Sequence, residues 1–204
     1  MLFSSIKSQI ELINESSINP DRLELLQALI NYIQSKIPSN QDIRLNFICT
    51  HNSRRSHLCQ VWAQTLSSYY NIKNVFCYSG GTEITSLFPA VNKALINSGF
   101  KIEPTSLTDN SVYSIKFSDV EPPILGFSKL YNDNFNPSSK FAAILTCTSA
   151  DKGCPFIKGA DVRISIPFED PKLFDGTPQQ DDKYLQRSLQ IATELKYVFS
   201  KINQ

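Results

Sequence analysis

The sequence predicts an α/β fold: a four-stranded parallel sheet with helices on both faces, preceded by an N-terminal helical extension and carrying a peripheral hairpin. Three observations predict it. From about residue 43 onward, short apolar segments alternate with amphipathic helical patterns, the signature of strands joined by crossover helices. One segment, Phe141 to Cys147, is apolar without alternation, as in a strand covered on both faces. The chain has 204 residues, 41% of them hydrophobic, enough for one ordinary domain with an appendage and a real core.

Taken in order, residues 1 to about 38 carry two helical patterns. Phe3, Ile6, Ile10 and Ile13 recur at helical spacing. Asn19-Pro20 supplies an N-cap and a first-turn proline, after which Leu26, Leu29, Ile33 and Ile37 continue the stripe. This segment reads as a packing appendage, with a dimerisation arm as the alternative. The expected division is an extension over 1–40 and a main domain over 41–204. After the linker Pro38 to Asp42, Ile43 to Ile48 forms the first strand. Leu58, Trp62, Leu66 and Tyr69 make one helix face. Asn74 to Tyr78 is a second strand, followed by a turn at Ser79-Gly80-Gly81, and a helix from about Pro89 ends at Gly99. Val112–Phe117 and Ile124–Phe127 suggest the peripheral hairpin. Asp161 to Ile166 is the last strand. Thr177-Pro178 caps a final helix that buries Ile191, Leu195, Val198 and Ile202.

Composition narrows the function. A net charge of +1 argues against an electrostatic nucleic-acid surface. No apolar run approaches membrane-spanning length, and the first residues soon meet Glu11 and Glu15 without a signal-peptide core. The expectation is a cytoplasmic protein with no nucleic-acid or membrane partner. Its five cysteines, at 49, 59, 77, 147 and 154, suit thiol chemistry in a reducing compartment better than a disulfide scaffold.

The chemistry concentrates at Cys49 to Ser56, Cys-Thr-His-Asn-Ser-Arg-Arg-Ser. A loop between a strand and a helix turns successive backbone N–H groups inward, and the helix N-terminus adds partial positive charge. Arg55 can fork two bonds onto a bound anion. Thr50, His51, Asn52, Ser53, Arg54, Arg55 and Ser56 are therefore the candidate oxyanion-binding residues, with Cys49 the nucleophile beneath them. Asn52 suits a left-handed position, and the Ser56 hydroxyl can donate to the sulfur. A bare Cys and Arg in this pattern also fit a buried thiol and a surface cation; the flanking strand and helix favour the loop. Cys49, His51, His57 and Cys59 raise a metal-binding alternative, although His57 and Cys59 would point different ways on the first helical turns.

In an open α/β sheet, ligands sit at the carboxyl ends of the strands. Cys49, Ser79, Cys147 and Asp170 all fall at such ends, so parallel strands would put them on one edge. Asp170 is the candidate general acid for a leaving oxygen, with Glu169 beside it; a turn-initiating Asp-Pro is the alternative. Six residues separate Cys147 from Cys154, within what reads as a flexible loop. The two sulfurs could approach disulfide distance after rearrangement, or be independent buried cysteines, or less suitably metal ligands.

These residues resemble the low-molecular-weight protein tyrosine phosphatases, and within that fold the thioredoxin-coupled arsenate reductases. The similarity runs from about Ile43 to the C-terminus; residues 1–40 and the region near 112–139 look like additions. The family loop is Cys-x-Gly-Asn-x-Cys-Arg-Ser. Cys49, Asn52, Arg55 and Ser56 match it, while His51 replaces the glycine and Arg54 the second cysteine. Trp62, Ser79-Gly80 and Asp170-Pro171 also match, and Cys147 and Cys154-Pro155 match the reductases' redox pair. Losing the loop's second cysteine removes an intraloop disulfide, and Arg54 adds charge. Gln60 stands where some of the reductases use a glutamate to hold potassium, so no metal or cofactor is expected. The resemblance implies an arsenate reductase in which Cys49 attacks arsenate and Cys147 and Cys154 relay the disulfide to thioredoxin. The alternative is a phosphatase hydrolysing phosphotyrosine with the same Cys49, Arg55 and Asp170.

Overall fold

The structure is a computed structural model that describes residues 1–153 and 156–204. Two helices open the chain, α1 (Ser4–Leu12) and α2 (Pro20–Lys36). The Asn19 side chain accepts from the Asp21 amide and Pro20 occupies the first turn, which pins where α2 starts. Then follow β1 (Ile43–Cys49), α3 (Arg55–Tyr69), β2 (Val75–Gly81), α4 (Pro89–Asn97), β3 (Lys101–Pro104), β4 (Tyr113–Lys116) and β5 (Ile124–Gly126). The chain finishes with β6 (Phe141–Leu145), α5 (Thr148–Gly153), β7 (Ala160–Ser165) and α6 (Gln180–Ser200).

The main sheet has the order β2-β1-β6-β7, every neighbouring pair parallel. Alternation along β1 divides its side chains between two faces. Ile43, Leu45 and Phe47 join a core shared with Ile6 and Ile10 of α1, Leu26, Leu29 and Ile33 of α2, and apolar residues of α3, α4 and α6. Ile48 and Cys49 face a smaller cluster with Ala143, Leu145, Cys147, Ala150 of α5 and Ile157. Long helices thus cover one face and the short α5 the other. Burying the apolar stripes of α1 and α2, at about 25 cal/mol per Å² of apolar surface, welds the first helices to this core.

The connection from β1 leads outward to β2, and that from β6 leads the other way to β7. The strand order therefore reverses between β1 and β6, and the crevice at their carboxyl ends is where such sheets bind ligands.

The expected hairpin is present as the antiparallel pair β4-β5, and β3 adds a third strand to it; β3 carries only four residues, largely exposed, so its pattern gives no alternating signal. Three local expectations change. Ser79-Gly80-Gly81 is the end of β2 and not a turn. A Cβ on Gly81 would sit 2.7 Å from both the Thr50 carbonyl oxygen and the Asn52 nitrogen, so this glycine lets the strand press against the loop after β1. Thr177 does not cap α6: its hydroxyl donates to the Phe174 carbonyl at 2.8 Å, and the helix starts at Gln180. The segment after Cys147, expected as a flexible loop, is the helix α5. No helix among the described residues is long and apolar enough to cross a membrane.

Candidate active site

Cys49 ends β1 and Arg55 begins α3, so the intervening residues must reverse direction within a few bonds. Asn52 makes the turn with φ of +45°, a left-handed conformation that asparagine tolerates better than most residues. The loop's carbonyls are bound by groups around its perimeter. Cys49 O accepts from Thr82 N at 3.2 Å, Thr50 O from Glu83 N at 2.8 Å, and Ser53 O from Phe88 N at 3.1 Å. His51 O accepts from the hydroxyls of Ser128 at 2.8 Å and Thr85 at 3.2 Å. A trans peptide whose carbonyl points outward turns the next N–H inward. The amides of Thr50, His51, Asn52 and Arg54 are thereby aimed at the loop centre, the arrangement that captures an anion.

At the base lies Cys49, 3% exposed. Its sulfur is 3.1 Å from the Ser56 hydroxyl oxygen, which accepts from Asn52 Nδ2 at 2.9 Å. Either group can donate in this contact when the sulfur is a thiol; a Cys49 thiolate has no proton, so the Ser56 hydroxyl then donates to it. Asn52 Oδ1 in turn accepts from the Lys129 backbone N–H at 3.0 Å, so the chain Lys129–Asn52–Ser56–Cys49 orients a hydrogen bond onto the thiolate.

The two adjacent arginines part company. Arg55 turns to the carboxyl edge of the sheet, where Nη1 donates to the Phe168 carbonyl at 2.9 Å and Nη2 pairs with Asp170 Oδ2. Its Nε is buried without a hydrogen-bond partner among the described residues, a donor that an anion could use. Arg54 was expected among the anion-binding side chains. Instead its guanidinium lies over the Phe88 ring at 4.2 Å and donates to Tyr184 OH at 2.5 Å and Asp175 Oδ2 at 2.6 Å. Arg54 precedes α3 with a non-helical backbone, φ −133° and ψ −88°, while Arg55 is its first residue, so the two side chains leave in different directions. Tyr184 also donates to Asp175 Oδ1 at 2.6 Å, and burial with the Asp175 hydrogen bond pushes its phenol well above the ordinary range. His51 likewise leaves the loop centre, its Nε2 lying 3.3 Å from Glu83 Oε2.

Asp170 sits just before a 3₁₀ turn, Pro171–Phe174, and caps it by accepting from Lys172 N at 3.1 Å. The turn and the Arg55 pair use different oxygens of the same carboxylate. The neighbouring Glu169 pairs with Arg187 at 2.8 Å and is mostly exposed. Of the two acids, Asp170 is the one joined to Arg55.

Cys147 follows β6, on the strand beside β1. Thr146 ties the two strands by donating both its amide, at 2.7 Å, and its hydroxyl, at 3.0 Å, to the Ile48 carbonyl. The Cys147 sulfur accepts from Ala150 N at 3.3 Å and lies 3.5 Å from Thr50 Oγ1. Cys49 and Cys147 thus share one buried cluster, with Thr50 of the loop touching the second sulfur. Cys154 and Pro155 lie outside the described residues.

Further from the loop, His57 is fully buried, with Nδ1 3.4 Å from the Ser79 hydroxyl. Burial, with the Lys129 charge nearby, lowers its pKa to about 3, so the imidazole is neutral. Lys129 is itself buried, between the rings of Phe127 at 4.4 Å and Phe135 at 5.5 Å, and burial lowers its pKa to about 8. Nothing in the sequence pattern marks Lys129, whose backbone N–H reaches Asn52, 77 residues away. Gln60 donates to the Cys77 carbonyl at 3.1 Å. Cys59 and Cys77 are buried, and burial raises both thiols. Among the described residues, no group of three or more His, Cys, Asp or Glu side chains is placed to hold a metal ion.

No protein-family model matches the sequence, and neither does any curated protein. Solved structures do. A low-molecular-weight protein tyrosine phosphatase from T. tengcongensis matches with a TM-score of 0.53 and 16% identity, over 79% of this chain and all of its own. The chain has the low-molecular-weight protein tyrosine phosphatase fold. A second low-molecular-weight phosphotyrosine phosphatase, from Vibrio cholerae O395, matches at 0.52 with 12% identity, covering 78% of this chain and 94% of its own. An arsenate reductase in a phosphate-binding state matches at 0.48 with 16% identity, over 79% of this chain and 99% of its own. The four parallel strands of this fold bring Cys49, Cys147 and Asp170 to one edge here.

Proposed function

We propose that this protein is a thiol-dependent arsenate reductase. The observation that carries the reading is the position of Cys147, buried at the end of the strand beside that of Cys49, its sulfur 3.5 Å from Thr50 of the loop. Ester hydrolysis needs no second thiol there, whereas reduction of arsenic(V) needs one.

Arsenate would bind to the inward amides of the loop and to Arg55. The Cys49 thiolate attacks arsenic, and Asp170 protonates the departing oxygen, which leaves as water. A Cys147 thiolate then attacks the Cys49 sulfur. The S–As bond breaks, its electron pair stays with arsenic, and arsenite departs as a Cys49–Cys147 disulfide forms. Two thiols supply the two electrons. A Cys154 thiolate attacks Cys147, which frees Cys49, and thioredoxin reduces the Cys147–Cys154 disulfide by exchange.

A second reading, phosphotyrosine hydrolysis through a phosphocysteine resolved by water, uses Cys49, Arg55 and Asp170 alone. The joined Arg55–Asp170 pair favours it equally. Steady-state kinetics on arsenate with thioredoxin, and on aryl phosphates, separates the two. Cys147→Ser and Cys154→Ser should abolish arsenate turnover and spare ester hydrolysis. Full thioredoxin-dependent turnover in both variants refutes the relay, and a Cys147–Cys154 bond formed only on arsenate treatment, found by mass mapping, supports it.

A further inference from the structure

The acid loop is held from behind by the first helices of the chain. Arg22, in the first turn of α2, donates Nη1 to the Pro167 carbonyl at 2.8 Å. Its Nε and Nη2 form a bidentate pair with Glu194 of α6 at 3.1 and 2.6 Å, and its guanidinium lies over the Phe168 ring at 4.9 Å. Glu194 is 3% exposed, so the pair is well desolvated and its geometry strongly imposed. Phe168 is in turn fixed on its backbone: its N–H donates to Thr146 O at 3.0 Å and its carbonyl accepts from Arg55. Arg22 and Arg55 thus grip consecutive carbonyls, those of Pro167 and Phe168, two residues before Asp170.

The grip extends past Phe168. Glu194 Oε1 also accepts from Gln190 at 3.0 Å, Gln190 accepts from Arg187, and Arg187 pairs with Glu169 at 2.8 Å. A polar chain along α6 therefore runs from Arg22 to the residue immediately before Asp170.

We propose that Arg22 is a positioning residue that sets the Asp170 carboxyl against the leaving oxygen, so that the N-terminal helices are part of the catalytic apparatus and not only packing. Arg22 acts through Pro167, Phe168 and Glu169 and touches no substrate. The inference rests on the reading that Asp170 is the general acid.

The test is the dependence of kcat/KM on leaving-group basicity, measured with a series of aryl phosphates on the full-length protein. A well-placed acid flattens that dependence, because it neutralises the charge on a poor leaving group. In Arg22→Ala/Glu194→Gln, which avoids stranding a buried carboxylate, the most basic phenols should lose about tenfold to a hundredfold and the most acidic much less. Arg22→Lys keeps an ion pair with Glu194 and so guards against a folding failure. An ammonium lacks the planar fork that makes the bidentate Glu194 pair and the Pro167 bond together, so its slope should steepen as well. Asp170→Asn is the reference. A steep slope in Asp170→Asn with equal losses across the series in both Arg22 variants overturns the inference alone. A flat slope in Asp170→Asn overturns the acid assignment and the inference with it.

Discussion

The Cys49 loop and the Cys147 segment meet at the switch point between β1 and β6, and they are built on opposite terms. Around Cys49, the loop carbonyls are tied by residues 82–88 and by Ser128, while Lys129, Asn52 and Ser56 direct a hydrogen bond to the sulfur. Cys147 opens a six-residue helix, far shorter than helices that stand alone in water. That helix is held by the Ala150 contact to the sulfur and by Asp151 paired with Arg163 at 2.5 Å. The difference follows the proposed chemistry. A site that stabilises a developing anion gains from donors that need no rearrangement, while a thiol that passes a disulfide onward must travel.

Removing one sulfur from each half tests this contrast most severely. Cys49→Ser should depress both arsenate reduction and aryl phosphate hydrolysis by on the order of 10⁴-fold or more, whereas Cys147→Ser should depress only the first. Equal effects on both reactions would erase the distinction. Next in size, Asp170→Asn should cost on the order of 10²- to 10³-fold in kcat/KM for poor leaving groups, read from the same aryl phosphate series.

The rigidity of the loop half has a pH signature. The folded state holds His57 neutral down to a pKa of about 3, while the unfolded imidazole takes up a proton near 6.5. Between those values the unfolded state binds more protons, so stability is full above about pH 6.5 and falls as pH drops toward 3. His57→Gln should flatten that part of a denaturant-midpoint profile. An unchanged slope would mean that the buried imidazole is not what makes the loop acid-sensitive.

The smallest effect belongs to the helix half. Asp151→Asn removes the charge from a partly exposed tether worth up to about 1 kcal/mol and leaves the Arg163 bond to the Asp151 carbonyl in place. It should speed transfer from the Cys49–Cys147 disulfide up to about fivefold in quenched-flow thiol trapping. Slower transfer would show that α5 guides the exchange instead of restraining it.

Legibility in the sequence followed distance along the chain. Cys49, Asn52, Arg55 and Ser56 could be read because they fall within eight contiguous residues between a strand and a helix, where local geometry dictates direction. The apolar run at Phe141 to Leu145 was readable for a similar reason: a strand covered on both faces favours apolar residues at successive positions. The helix after Cys147 was not, since six residues with a glycine and no apolar stripe carry no periodic signal, and Ala150 is buried in a cluster built mainly from β1 and β6 residues.

By itself, then, the sequence determined the parallel sheet, the loop from Cys49 to Ser56, and the helices that flank them, because each depends on periodicity or on spacing of a few residues. Only the tertiary structure decided between like neighbours: Arg55 toward the site and Arg54 toward Tyr184 and Asp175, Asp170 onto Arg55 and Glu169 onto Arg187. It alone brought Arg22 to the acid loop, 145 residues away along the chain. The physical reason is that a charged side chain is placed by whichever partner desolvates with it, and those partners come from segments that meet only in the packed fold.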